Sequence, residues 1–103
     1  MPFDEFRSTL GQASPPPCAP ALVALWHDAR GDWIAAHQVA QDLEGADAAW
    51  VHAYLHRKEG DAANAAYWYD RAKQPIAEGS SDEEWAKIAS ALLARDATRK
   101  PRA

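Results

Sequence analysis

The chain has 103 residues, a formal net charge of −4 and a composition that is 48% hydrophobic, much of it alanine. At this length one domain with one modest core is the default, since roughly 60–70% of the unfolded surface can be buried. The acidic balance provides no general basic surface for a phosphate backbone, which argues against nucleic acid, and no stretch approaches the ~20 apolar residues of a membrane span.

The N-terminal MPFDEFRSTL lacks a basic segment followed by an apolar run, so no signal peptide is read there. Cys18 is alone and makes no internal disulfide. The expected setting is soluble and cytoplasmic. Few β-branched residues and many alanines favour helix, and five tryptophans supply the bulk that alanine does not.

Residues 3–10 read as a short amphipathic turn or two, with Phe3, Phe6 and Leu10 on one side. Gly11 to Ala19 is a proline-rich linker whose Pro15-Pro16-Pro17 should be extended. Pro20 suits the first turn of a helix that runs to about Arg30, with Leu22, Leu25, Trp26 and Ala29 inward. Gly31-Asp32 is a helix stop followed by a helix cap. The next helix spans about Asp32 to Leu43, with Trp33, Ala36, Val39 or Ala40, and Leu43 at helical spacing. A third helix runs from about Asp47, read as its N-cap, to Glu59. Apolar groups surround it up to Leu55, which marks it as the central helix. Gly60-Asp61 repeats the turn chemistry. The return helix, about Asp61 to Lys73, presents Ala62, Ala65, Ala66, Tyr69 and Ala72, small enough for close approach. After a loop, Ser81 and Glu84 read as a capping box that opens a last helix, with Trp85, Ile88, Ala89, Leu92 and Leu93 inward.

The two Gly-Asp pairs lie 29 residues apart. At that offset His27 aligns with His56, Ala36 with Ala65, and Leu43 with Ala72. Two helix–turn–helix units in tandem imply a short stacked array. The expected fold is all-α: two stacked helical hairpins, a C-terminal capping helix and an N-terminal arm. The expected division is an arm over residues 1–19, a helical domain over 20–97 and a basic tail over 98–103.

The stretch EGDAANAAYWYDRA resembles the second half of a tetratricopeptide or Sel1-like repeat, with Gly60, Asp61, Ala65, Tyr69 and Ala72 at matching positions. The earlier unit matches at Gly31, Asp32 and Ala36, while Ala40 stands where an aromatic is usual. Histidines replace the usual aromatic at His27 and His56. This resemblance covers residues 20–75 and implies a hairpin repeat with an interaction role. The phrases LWHDARGDW, AWVHAYLHRKEGD and NAAYWY also resemble those of a family of small bacterial proteins, which implies no activity.

Two constellations compete for the working surface. In tetratricopeptide-like arrays the first helix of each repeat lines a groove. The matching positions are Leu25, Asp28 and Ala29, then Trp50, Tyr54, Arg57 and Lys58. Aromatic surface beside two cations suits an acidic peptide or a carboxylate. The leading expectation is therefore a non-enzymatic protein- or peptide-interaction module without a cofactor. The alternative is metal binding. His52 and His56 sit at i, i+4 on one helix face and can chelate zinc or another transition metal. The repeat alignment names His27 as the third ligand, with His37 or Asp28 as a distant fourth. Against both stands ordinary packing, with the aromatics in the core and the histidines in a polar layer. Asn64, Trp68 and Arg71, with Tyr67, form a further patch suited to a homodimer contact or to another helix. Nothing suggests nucleophilic catalysis or a phosphate loop.

Overall fold

Two glycines with positive φ set the path of the chain. The computed structural model describes residues 1–98, and every regular element among them is helical. A short helix α1, Phe3–Ser8, runs into a 3-10 turn at Thr9–Gly11. There follow α2 (Pro20–Ala29), α3 (Trp33–Gln41), α4 (Ala46–Lys58), α5 (Ala62–Ala72) and α6 (Ser81–Thr98). The expected tail beyond Thr98 lies outside the described residues.

Gly31 (φ 83°) and Gly60 (φ 92°) close α2 and α4 in the same way. The Gly31 N–H donates to the Asp28 carbonyl at 2.9 Å, and the Asp32 N–H to that of His27 at 3.0 Å. Gly60 and Asp61 repeat the pattern on Arg57 (3.1 Å) and His56 (2.9 Å). Each is a Schellman turn, which satisfies helix-end carbonyls and requires a left-handed residue. The aspartate that follows caps the next helix. Asp32 accepts from the Ala35 amide at 3.0 Å, and Asp61 from the Asn64 amide at 3.2 Å. Sequence and geometry thus repeat together, and α2 packs on α3 as α4 packs on α5.

Helix α4 touches α2, α3, α5 and α6, and every residue from Ala48 to His56 is buried. Its apolar circumference is explained by neighbours on all sides. Across the α4–α5 seam, Ala65 and Ala72 are buried with Tyr69 between them. Ala62, expected on the same face, is exposed in the first turn. Helix α6 buries Trp85, Ile88, Ala89, Leu92 and Leu93.

The N-terminal arm is fastened over this body. Phe6 is fully buried, and Phe3 and Phe6 both pack on Trp85 with ring centres 6.0 Å apart. The Trp26 indole N–H is shared between the Thr9 carbonyl (3.3 Å) and hydroxyl (3.2 Å). Arg30 donates to the carbonyls of Leu10 and Gln12, both at 2.6 Å. Burying the Phe6 ring alone contributes about 1.5–3 kcal/mol.

Two helix starts differ from expectation. Helix α4 is capped two residues earlier than read, with Gly45 (φ 102°) at the cap position. Asp47 sits in the first turn instead, where its charge favours the helix dipole and meets Arg95 from α6. The side-chain cap opening α6 is made by Ser80 with Glu83, one residue earlier than the Ser81–Glu84 box read from the sequence. The Glu83 amide donates to Ser80 Oγ at 3.1 Å, and that hydroxyl donates to Glu83 Oε1 at 3.2 Å. Glu84 is drawn inward by stronger partners. It is 4% exposed, accepts from Arg57 at 3.0 Å, and accepts a short bond from the Tyr69 hydroxyl.

No helix among the described residues is long and apolar enough to cross a membrane. Every buried side-chain nitrogen and oxygen among them has a hydrogen-bond partner.

Candidate metal centre

Helical spacing brings His52 and His56 onto one face of α4, one turn apart, with ring centres 4.8 Å apart and planes near parallel. The same spacing on α3 places Trp33 and His37 together, stacked at 4.9 Å. Packing α3 on α4 sets the two pairs edge to face. His37 meets His52 at 4.7 Å and His56 at 5.2 Å, with interplanar angles of 84° and 76°. Trp33 pins this register, because its indole N–H donates to the Leu55 carbonyl at 2.9 Å. From the other side Trp68 of α5 stacks on His52 at 4.0 Å.

The rings of His37, His52 and His56 thereby each offer a nitrogen within 4.8 Å of the others. The Nε2 atoms of His37 and His52 are 3.0 Å apart, a distance at which one must donate and the other accept. Burial, then the neighbouring His37 and His56, push the His52 pKa down to about 4. Burial and His56 also lower that of His37, against an opposing pull from Glu59. Both rings are therefore neutral at pH 7, the form in which imidazole binds metal. His56 Nδ1 lies 2.7 Å from Glu59 Oε1. Three imidazoles from two helices match the donor set of open tetrahedral zinc sites, in which nitrogens bound at ~2.0–2.1 Å leave a fourth position free.

His27 is not part of this group. It is half-buried on α2, with its ring edge-on to Trp26 at 5.2 Å. The repeat alignment correctly equates it with His56, since each precedes its turn glycine by the same number of residues. Equivalent positions in stacked repeats occupy corresponding faces of successive helices. The residue that confronts His56 belongs instead to α3, and His37 fills that place. Asp28, the other distant ligand considered, is engaged elsewhere.

The expected groove is largely filled. Leu25, Trp50 and Tyr54 are buried at 0%, 5% and 2% exposure. Asp28 is buried beneath them, accepting from the Tyr54 hydroxyl at 2.6 Å and from Lys58 at 3.0 Å. Burial and that hydrogen bond push the Tyr54 phenol well above its ordinary pKa. Arg57 is taken by Glu84 and the Gly79 carbonyl. Helix α6 packs on both α2 and α4, and α1 packs on α6. A cleft of about 450 Å³ remains, lined by Asp28, Ala29, Tyr54 and Lys58 with Phe3, Arg7 and Trp85. The patch on α5 is present on the surface. Tyr67 is 54% exposed, and Arg71 lies over the rings of Tyr67 and Trp68 at 5.6 and 5.5 Å. Cys18 lies in the linker, and burial raises its pKa, away from the thiolate form.

Trp33 and Glu59 belong to the centre and were not anticipated. Their spacing was the available signal, four residues before His37 and three after His56. No protein-family model matches the chain, no curated protein matches it, and no solved structure matches it.

Proposed function

We propose that this chain is a small metal-binding helical protein in which His37, His52 and His56 hold a divalent transition-metal ion. The supporting observation is the convergence of three imidazoles from α3 and α4, two with lowered pKa, between the indoles of Trp33 and Trp68. The donors are all nitrogen, which suits zinc, copper or nickel rather than calcium or magnesium. The scaffold is read as two tetratricopeptide-like hairpins, α2–α3 and α4–α5, with the ligands drawn from both. The role is non-enzymatic binding.

Titration calorimetry of tag-free protein with zinc, copper and nickel tests this reading. The expected result is one ion per chain at micromolar protein, with affinity lost in His37→Ala and His52→Ala and kept in His27→Ala. No heat with any of the three ions would end it.

A second reading keeps the interaction role. It is favoured by the cleft beside Asp28, Tyr54 and Lys58, whose cations Arg7 and Lys58 suit an acidic peptide partner. A pull-down in which Lys58→Glu abolishes capture supports that reading. The α5 patch around Tyr67 and Arg71 offers a homodimer contact, which a strict monomer in sedimentation at high concentration would remove.

A further inference from the structure

Glu59 caps the C-terminus of α4, immediately before the turn glycine Gly60. Its Oε1 lies 2.7 Å from Nδ1 of His56, although its side chain is 39% exposed and that of His56 only 9%. Solvation gives an exposed glutamate no reason to lie against a buried ring. Backbone geometry supplies it, because residues three apart share a helix face, and the Glu59 amide is still helical, donating to Leu55 at 3.2 Å. Asp61 also lies within reach of His56 and Glu59. Its carboxylate is engaged by the amide and side chain of Asn64, at 3.2 and 3.4 Å. Glu59 is therefore the carboxylate available to the ring.

A neutral imidazole carries its proton on one nitrogen, and an ionised carboxylate can only accept. The Glu59 contact consequently fixes the proton on Nδ1 and leaves the lone pair on Nε2. We propose that Glu59 is a positioning residue for a late first-row divalent ion, selecting Nε2 of His56 as the coordinating atom. It also makes the ring a better donor and brings a carboxylate to a site whose three ligands are imidazoles. Carboxylates that bond the second nitrogen of a ligating histidine act in this way and matter to affinity by roughly 10- to 100-fold. This inference rests on the three-histidine metal reading. It adds which atom of His56 binds and which residue outside the ligand set governs the affinity.

The test combines zinc competition against a chromophoric chelator with nitrogen NMR of the imidazoles in metal-free protein at about pH 8, where an ordinary histidine is neutral. The proteins are wild type, Glu59→Ala and Glu59→Gln. Glu59 is exposed at a turn, and matching circular dichroism confirms that the variants fold. The expected wild-type spectrum shows His56 as the Nδ1–H tautomer. Glu59→Ala should shift it towards Nε2–H and weaken zinc roughly 10- to 100-fold. Glu59→Gln, whose amide oxygen still accepts, should lie between. Undiminished zinc affinity in Glu59→Ala overturns the role of Glu59 and leaves the histidine site standing. Weakened affinity with an unchanged tautomer also overturns it, since the carboxylate would then act as a direct ligand. A wild-type protein that takes up no zinc, copper or nickel overturns the metal reading, and this inference with it.

Discussion

The Nε2 atoms of His37 and His52 face each other at 3.0 Å, across the boundary between the two hairpins. A proton added to the accepting ring removes the acceptor from that pair, and a proton on either ring places a charge beside a second imidazole. Burial, then the neighbouring His37 and His56, make His52 resist protonation, while burial and His56 do so for His37.

Stability should therefore depend on pH with a defined sign. His52 has its folded pKa lowered to about 4, and an unfolded histidine titrates near 6.5. Between those values the unfolded chain binds more protons, so stability rises with pH. The contribution is complete above about pH 6.5 and is lost as pH falls towards about 4, on the order of 3 kcal/mol. Urea midpoints measured across this window should fall more steeply for wild type than for His52→Leu. Parallel slopes would contradict the assignment.

Glu84 ties α6 to α4 and α5 by accepting from Arg57 and Tyr69 at once. Glu84→Ala leaves a buried phenol without its carboxylate acceptor and a half-buried guanidinium without its counter-charge, holding only the Gly79 carbonyl. The expected cost is about 2–4 kcal/mol in chemical denaturation. Tyr69→Phe should cost less, roughly 1 kcal/mol, because it removes one donor and keeps the ring.

Left-handed backbone gives a pair of opposite predictions. A Cβ at Gly60 would meet nothing within 4 Å, so Gly60→Ala reports the backbone term alone. It should destabilise by roughly 1–2 kcal/mol. Lys73 adopts φ 58° at the end of α5, where the Gln74 amide reaches the Tyr69 carbonyl at 3.0 Å. Lys73→Gly should stabilise by about 1 kcal/mol, visible as a raised melting temperature.

Close approach across the α4–α5 seam is tested by Ala65→Leu. Ala65 is 3% exposed between packed helices, so the larger side chain must displace one of them. A loss of about 1–3 kcal/mol is expected in thermal or urea denaturation. An unchanged midpoint would mean that the seam accommodates a leucine.

Much of this architecture is carried by local chemistry, which is why the chain could be read before folding. The Gly-Asp pairs hold both stop and start signals within two residues, and a helix that is apolar all round can only be central. Cap positions were less secure. Asp47 and Glu84 are plausible caps in isolation, but Arg95, Arg57 and Tyr69 reach them from distant segments and claim their oxygens. The histidine centre shows the same division. The i, i+4 pair on α4 follows from periodicity, whereas the third ring depends on which helix lies across it. Repeat alignment pointed to His27, and only packing of α3 on α4 brings in His37. Trp50 and Tyr54 were legible as one stripe, but nothing local says that an N-terminal arm and a last helix will cover that stripe.

His37 is contributed by the first hairpin and His52 and His56 by the second. Either half of the protein, taken alone, would present two imidazoles at most. Occupancy of the centre would thus certify that the halves have met in the right register, and a fragment or a swapped assembly could acquire it only by recreating the same junction.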